Sequence, residues 1–388
     1  MPELRVHELR ITSGVPALRQ RASSDRPHPA RLLGSGPRGS HLSVLRHAGE
    51  LIGQLLQVLR REPGLSARAP PPHGYALAVD LVEGVLSADP LAIARAISMV
   101  EDGAVGLEEL SAGLFSKTGA AYTVGLTGAP GVGKSTLAGE LVRVARDRER
   151  SVAVLAIDPT SPFTGGALLG DRLRMQAHAT DPKVFIRSMA TRGHLGGMAL
   201  AAPEAVRILD ASGRDLVIVE TVGVGQAEVD VAAATDTTLV VVSPGWGDAV
   251  QVAKAGILEI ADVFVVNKAD REGAETAIRD LEQMLRMGEE LEWTPPVVKT
   301  AAASSEGVED LWDAIQAHRE YLEASDGLER RRRERLLREV ETLAIEGVRD
   351  RARQVLEDDR ALVDDLLARR TDPYRAAAIL AERLSGAR

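Results

Sequence analysis

Residues 128–135 read Gly-Ala-Pro-Gly-Val-Gly-Lys-Ser and satisfy the spacing G-x-x-x-x-G-K-[ST] of a phosphate-binding loop. An apolar run from Tyr122 to Thr127 precedes the loop, and a stretch with helical periodicity, 134–148, follows it. Glycines let the backbone curl so that its N–H groups point at phosphate oxygens, and a helix N-terminus adds partial positive charge. The sequence therefore predicts a strand, a loop and a helix that together bind a nucleotide phosphate.

The same loop supplies candidate catalytic and metal-binding groups. Lys134 is expected to reach the β- and γ-phosphates, and the Ser135 hydroxyl is expected to ligate Mg²⁺. The nucleotide contacts predicted for this region are Gly128, Ala129, Pro130, Gly131, Val132, Gly133, Lys134, Ser135 and Thr136. Such a loop does not by itself select the base of the nucleotide.

A second motif selects the base. Residues 267–270 read Asn-Lys-Ala-Asp and follow a buried-strand pattern at 262–266. The Asp270 carboxylate only accepts hydrogen bonds, so it suits the N1–H and 2-amino donors of guanine. Adenine would leave buried groups unpaired, at a cost of about 1–3 kcal/mol each. The predicted base contacts are Asn267, Lys268, Asp270, Thr300 and Ala301, the last two through the backbone.

Composition excludes several classes of protein. The chain has 388 residues, 45% hydrophobic and 27% charged, which is enough for one large α/β core with helical additions. A net charge of −9 and an aromatic content of 3% argue against nucleic-acid binding. There is no cysteine for a thiolate metal site, and no apolar run approaches the length of a membrane span. We expect a cytoplasmic protein that binds neither nucleic acid nor membrane.

The chain divides into four predicted parts. Residues 1–75 are rich in Arg, Pro, Ser and Gly and predict a disordered or atypical N-terminal extension; a loose tail or a misassigned start codon is favoured over a transit peptide. Residues 76–118 predict a helical segment, 119–323 alternate strand and helix patterns, and 324–388 predict a charged helical arm. The strand candidates are 122–127, 151–157, 184–188, 215–219, 237–243, 262–266 and 296–300. This alternation is typical of an α/β fold with a doubly wound, mainly parallel sheet.

The helical arm carries an apolar stripe. Leu336, Val340, Leu343 and Val348 recur at helical spacing among charged residues. Such a stripe packs either on a second copy or back on its own domain. In the first case, a chain ending near Asp326 should be monomeric and still bind nucleotide.

Acidic residues lie at the ends of several predicted strands or in the loops that follow them. Asp158 ends the strand 151–157, Asp171 lies in the loop that follows, and Glu220 ends another strand. With Ser135, these three acids are the predicted Mg²⁺ ligands, in part through water. Any one acid taken singly could instead cap a helix or be a solvated loop charge. The predicted catalytic residues are Lys134, Asp171, Glu220, Gly223, whose backbone N–H approaches the γ-phosphate, and Gln226, which orients a nucleophile.

Four stretches together resemble the MeaB/ArgK family of P-loop GTPases. They are Gly128-Ala-Pro-Gly-Val-Gly-Lys-Ser135, Asp158-Pro-Thr-Ser-Pro-Phe-Thr-Gly-Gly-Ala-Leu-Leu-Gly-Asp171, Glu220-Thr-Val-Gly-Val-Gly-Gln226 and Val265-Val-Asn-Lys-Ala-Asp270. The resemblance implies a Mg²⁺-dependent enzyme that hydrolyses GTP to GDP and serves as chaperone to cobalamin-dependent methylmalonyl-CoA mutase or a relative, gating cobalamin loading and protecting the mutase. It also implies mobile switch loops and a homodimer joined through the C-terminal helical arms.

Two positions depart from the family pattern. Members usually carry Ser after the switch glutamine, where this chain has Ala227, and an acidic or polar residue after Gly247-Asp248, where it has Ala249. These changes affect the expected coupling to a partner rather than nucleotide binding. Two other functions stay open: a metallochaperone GTPase for metal insertion, and an ATP-dependent kinase linked to amino-acid transport. The absence of cysteine disfavours the first, and Asp270 disfavours the second.

Overall fold

A parallel sheet organises the part of the chain that the structure describes. The computed structural model describes residues 72–158, 178, 180–190, 197–221, 231–245, 257–287 and 292–384. Within these residues, the strands are β1 (Tyr122–Thr127), β2 (Val152–Asp158), β3 (Val184–Ala190), β4 (Leu216–Thr221), β5 (Thr237–Val242), β6 (Val263–Val266) and β7 (Val297–Lys299). They form one sheet in the order β3-β2-β4-β1-β5-β6-β7, and every pairing is parallel.

The sheet confirms the predicted fold class. Each of the seven strand candidates overlaps an observed strand, with ends displaced by no more than two residues. Every residue of β1, β4, β5 and β6 is buried, because helices cover both faces of the sheet. Burial on both faces explains why these strands read as unbroken apolar runs rather than as alternating patterns.

Helices cover the sheet on both faces. Their bounds are α1 (Pro72–Leu86), α2 (Pro90–Asp102), α3 (Leu107–Phe115), α4 (Lys134–Asp147), α5 (Gly197–Ala211), α6 (Ala274–Met287), α7 (Val308–Ala324), α8 (Gly327–Asp358), α9 (Arg360–Leu367) and α10 (Pro373–Leu384). One apolar core lies between α2, α3, α5 and one face of the sheet, and a second lies between α4, α7 and the other face. None of the helices in the described ranges combines the length and apolarity needed to cross a lipid bilayer.

Helix α2 shows how local sequence sets an element of the N-terminal layer. The Asp89 carboxylate accepts from the N–H groups of Leu91 and Ala92 at 3.1 and 3.3 Å and caps the helix, with Pro90 at its first position. Gly103 ends it in the left-handed conformation. The residues that face the sheet layer, Ile93, Ala96, Ile97 and Val100, are buried.

The long helix α8 presents its apolar stripe to solvent. Val340 and Leu343 are 63% and 53% exposed, and Leu336 and Val348 are 40% and 38% exposed. In the described residues, therefore, the stripe does not pack back on its own domain. Packing of the stripe on a second copy stays a prediction. The boundaries at 75, 118 and 323 stay predictions.

Candidate nucleotide site

The predicted nucleotide-binding residues converge on one edge of the sheet. In a parallel sheet, the carboxyl ends of all strands share an edge, and ligands of such folds bind there. Gly128 follows the end of β1, Glu220 is the second-last residue of β4, and Asn267 follows the end of β6. Because β1 lies between β4 and β5, the phosphate-binding loop lies at the centre of this edge.

The glycines of the phosphate-binding loop are required by geometry. Gly128, Gly131 and Gly133 have φ angles of 134°, 81° and 102°, which side-chain-bearing residues rarely adopt. A Cβ atom on Gly128 would lie 2.1 Å from the Val241 carbonyl oxygen, and one on Gly133 would lie 2.4 Å from Asn267 Nδ2. The loop therefore rests directly on the β5 backbone and on the base-binding loop.

Lys134 and Ser135 begin helix α4 inside this loop. The Lys134 ammonium is buried and donates to the Gly128 and Ala129 carbonyl oxygens at 2.5 and 3.1 Å. Its positive charge lies at the N-terminus of α4, where the helix dipole adds to it. This end of the helix is thus suited to an anionic phosphate.

Two predicted metal ligands are in direct contact. The Ser135 hydroxyl donates to Glu220 Oε1 at 2.6 Å, although the two residues are 85 positions apart. Both side chains are buried. A hydroxyl and a carboxylate oxygen are hard ligands of the kind that Mg²⁺ prefers, so the residues present fit this ion. Asp158 ends β2, which pairs with β4 on the side away from β1. The Asp158 side chain is outside the described residues.

Asn267 joins the base-binding loop to the phosphate-binding loop. Its buried side-chain amide donates to the Val132 carbonyl oxygen at 2.9 Å, while its Oδ1 accepts from Thr300 Oγ1 and from the Ala302 N–H, both at 3.1 Å. Lys268 Nζ also donates to the Gly131 carbonyl oxygen at 2.5 Å. These contacts join the predicted base-binding loop directly to the phosphate-binding loop.

Asp270 and the chain after β7 complete the base side of the site. The Asp270 side chain is exposed, so its carboxylate is accessible to a ligand. The Ala301 N–H is engaged with the Glu306 carbonyl oxygen at 2.9 Å, and the Thr300 hydroxyl is used to hold Asn267. A base contact from either residue stays a prediction. Sequence reasoning missed Ala302, because an alanine that acts through its backbone N–H carries no chemical signal.

Several predicted site residues fall outside the described ranges. Asp171, Gly223 and Gln226 are among them, as are Ala227 and Ala249. Of the predicted catalytic residues, the structure therefore locates Lys134 and Glu220 at the same edge of the sheet. In the described ranges, no group of three or more His, Asp or Glu side chains could hold a metal on its own. A metal at this edge would need phosphate oxygens, water or loop residues as further ligands.

A comparison with protein families agrees with this geometry. The family model described as methylmalonyl-CoA mutase-associated GTPase MeaB matches residues 93–357. The chain belongs to the MeaB family. This confirms the family that the sequence motifs resemble, and with it a guanine-nucleotide-binding P-loop GTPase.

Individual relatives support the same assignment. A Pyrococcus abyssi protein named as a GTPase is 47% identical over 315 residues, which cover 79% of this chain and 97% of the relative. The mitochondrial methylmalonic aciduria type A homolog of Caenorhabditis elegans is 37% identical over 228 residues, 57% of each chain. The crystal structure of a LAO/AO transport system kinase aligns with a TM-score of 0.60 and 25% identity, covering 80% of this chain and 98% of that one. This MeaB-family protein is accordingly a GTPase.

Proposed function

We propose that this MeaB-family GTPase is a nucleotide-dependent chaperone of a cobalamin-dependent methylmalonyl-CoA mutase or a related acyl-CoA mutase. In this role, it gates loading of the cobalamin cofactor and protects the mutase. The observation that carries the proposal is the match of residues 93–357 to a mutase-associated GTPase family. The name of the Caenorhabditis elegans relative, which refers to methylmalonic aciduria, supports the same partner.

The base side of the site favours guanine nucleotides. Asp270 is exposed in the base-binding loop, which the Asn267 side chain joins to the phosphate-binding loop. A carboxylate at this place accepts from the N1–H and 2-amino groups of guanine. The neighbouring contacts of Asn267 fix the loop, so Asp270 meets the base with little further ordering.

The phosphate side suits magnesium-assisted hydrolysis. Ser135 and Glu220 would hold Mg²⁺, with Asp158 and Asp171 as further predicted ligands. When bound, the ion neutralises charge on the phosphate oxygens. Lys134 neutralises further charge, while Gln226 and the Gly223 N–H are the predicted groups that orient water and contact the γ-phosphate.

Intrinsic hydrolysis is proposed to be slow and partner-stimulated. The sequence has no obvious arginine finger, with Arg172, Arg174 and Lys254 as weak candidates. A stimulating contact from a partner accelerates other GTPases by about 10³–10⁵. The chain from Pro244 to Lys254, whose residues after 245 are outside the described ranges, is the proposed entry point of the mutase signal. A homodimer joined along the exposed stripe of α8 completes the proposed assembly.

Titration of the cognate mutase tests this function. Its affinity for the GTPase is measured with GDP, with a non-hydrolysable GTP analogue and without nucleotide, and the GTPase rate is followed in parallel. We expect affinities that differ between nucleotide states, and by linkage a mutase-dependent GTP affinity. Equal affinities in all three states together with an unchanged rate would reject the mutase as the partner.

A variant of the base contact provides a matched control. Asp270→Asn should prefer xanthosine nucleotides, because the Asn amide donates to the carbonyl that replaces the 2-amino group of guanine. The mutase response should then follow xanthosine triphosphate instead of GTP. A response that still follows GTP would place the controlling nucleotide at another site.

Two simple measurements separate the other functions. A kinase of amino-acid transport would bind ATP at least as well as GTP, and a metallochaperone would bind transition metal in stoichiometric amounts without nucleotide. We expect GTP to be preferred over ATP and no such metal to be bound. Equal affinity of the wild-type protein for ATP and GTP would reject the guanine assignment.

A further inference from the structure

Buried charges cluster at the edge of the sheet opposite the nucleotide site. Asp236 directly precedes β5, and Asp262 directly precedes β6; both side chains are almost completely buried. The first turns of α8 run beneath this edge and contribute three arginines. We call these three arginines, Arg331, Arg332 and Arg335, together with the two aspartates, the arginine clamp.

Each carboxylate of the clamp is held by well-formed ion pairs. Arg331 forms a two-pronged pair with Asp262, at 2.8 and 3.0 Å. Arg332 donates to both oxygens of Asp236, at 2.8 and 3.2 Å, and Arg335 adds a third bond at 2.9 Å. Such bidentate geometry is the strong form of the arginine–carboxylate interaction.

The same carboxylates connect neighbouring strands. Asp236 Oδ2 accepts from the Thr123 N–H of β1 at 3.0 Å, and Asp262 Oδ2 accepts from the Thr238 N–H of β5 at 2.8 Å. Arg332 reaches further, to the carbonyl oxygens of Gly119 and Ala121 before β1, at 2.6 and 2.8 Å. The clamp therefore fixes the starts of β1, β5 and β6 relative to one another.

The other ends of these three strands carry the nucleotide site. β1 leads into the phosphate-binding loop at Gly128, which rests against the backbone of Val241 in β5. β6 leads into Asn267, whose N–H donates to the Val242 carbonyl oxygen of β5 at 2.9 Å. These strands have four to six residues each, so the clamp and the loops are separated only by the length of three short, buried strands.

We propose that the arginines of the clamp are positioning residues of the nucleotide site, so that the first turns of α8 and the bound nucleotide stabilise each other. They act through the relative placement of β1, β5 and β6, which sets how the phosphate-binding loop meets the base-binding loop. Linkage makes the effect reciprocal: a helix that favours nucleotide binding is itself held more firmly when nucleotide is bound. This inference depends on guanine-nucleotide binding alone and is independent of the partner.

The proposal changes the expected result of truncation. A chain ending near Asp326 would lose the stripe of α8, but it would also lose all three arginines of the clamp. Two buried carboxylates would then lack their cationic partners. We therefore expect this truncated chain to bind GDP more weakly than the full chain, rather than equally well.

Single substitutions in the full chain provide the direct test. Arg331→Gln and Arg332→Gln are compared with Arg333→Gln, an exposed arginine of the same helix. Arg332→Lys keeps the charge but loses the two-pronged geometry and serves as the mildest variant. GDP affinity is measured by fluorescence titration well below each melting temperature, with light scattering as a check that the oligomeric state is constant.

The expected outcome separates positioning from folding stability alone. Energetic coupling between two sites is typically about 5- to 150-fold in affinity. We expect GDP to bind at least about fivefold more weakly to the Arg331 and Arg332 variants, with Arg333→Gln like the wild type. Lower melting temperatures with unchanged GDP affinity in all folded variants would overturn the proposal.

Hydrogen exchange of the wild-type protein tests the reciprocal effect without a substitution. Peptides from the first turns of α8, residues 327–338, are followed with and without saturating GDP. We expect slower exchange of these amides with GDP, although the nucleotide lies at the opposite edge of the sheet. Equal exchange rates in the two conditions would overturn the proposal, whatever the variants show.

Discussion

The two edges of the sheet use charge in opposite ways. At the carboxyl edge, Lys134 and Glu220 are buried beside glycine loops; Lys134 donates to loop carbonyl oxygens, and Glu220 accepts from the Ser135 hydroxyl. At the amino edge, Asp236 and Asp262 are buried against arginines in bidentate pairs and against strand amides. Burial alone therefore does not identify a charge that contacts a ligand; the bonding partners of the charge are needed as well.

The largest effect is expected at the amino edge. Asp236→Ala would leave Arg332 and Arg335 beside an apolar side chain, and removal of one partner of a buried pair costs about 3–5 kcal/mol. The free energy of unfolding, measured in urea, should fall by that amount. The exposed pair of Asp147 with Arg143 provides the control, and Asp147→Ala should change stability by less than about 1 kcal/mol. Similar losses in both variants would contradict the distinction between the two classes of pair.

Acid should weaken the amino edge through His318. Burial lowers the pKa of His318 from 6.5 to about 4, despite the Asp262 carboxylate 3.3 Å from Nε2. Because the folded pKa lies below the unfolded one, the neutral ring stabilises the protein above pH 6.5, and this contribution is lost as the pH falls toward 4. The loss is about 3 kcal/mol at full protonation.

Comparison with His318→Gln isolates this contribution from that of the carboxylates. The difference in unfolding free energy between wild type and variant should shrink as the pH falls from 7 to 4. A difference that is constant over this range would show that the ring is not held neutral.

A smaller and more selective effect is expected at the carboxyl edge. Asp270→Asn should weaken GTP binding by about 1–3 kcal/mol, because one acceptor for guanine is replaced by an amide. The side chain is exposed and has no bonding partner within the described residues, so the melting temperature without nucleotide should stay the same. Calorimetric titration and thermal unfolding check the two parts. A loss of stability without a loss of GTP affinity would contradict the assignment of Asp270 as a guanine contact.

A small change in stability is also expected at the stripe of α8. Leu343→Lys lies on a half-exposed position, so the free energy of unfolding of a monomer should change by less than about 0.5 kcal/mol. The proposed dimer, in contrast, should dissociate, because a charge would enter its apolar contact. Light scattering over a range of concentrations measures this. A variant that is dimeric to the same extent as the wild type would move the interface elsewhere on the protein.

Prediction from sequence succeeded where the signal is local. The phosphate-binding loop and the base-binding loop each follow an apolar run, so motif and strand support each other within a dozen residues. The contacts between these loops were not predictable. The Asn267 side chain bonds to backbone atoms of Val132 and Ala302. Because every residue has the same backbone atoms, the sequence does not mark these partners.

The arginine clamp was not predictable for a different reason. The run Arg330-Arg-Arg-Arg333 resembles an ordinary solvated face of a charged helix. Its partners lie far away in the chain: Arg331 is 69 residues from Asp262, and Arg332 is 96 residues from Asp236. Only the packing of α8 beneath the sheet brings two members of this run, Arg331 and Arg332, onto the buried carboxylates, while Arg330 and Arg333 stay exposed.

The amino-acid sequence by itself determined the class of fold, the family and the nucleotide, because phosphate and guanine recognition depend on short motifs with fixed spacing. Tertiary structure alone decided which charges are internal. The energy of a charge depends on the solvent and partners around it, and those are set by the packing of segments that are remote in sequence. In this protein, the same residue types hold a ligand at one edge of the sheet and hold the fold at the other.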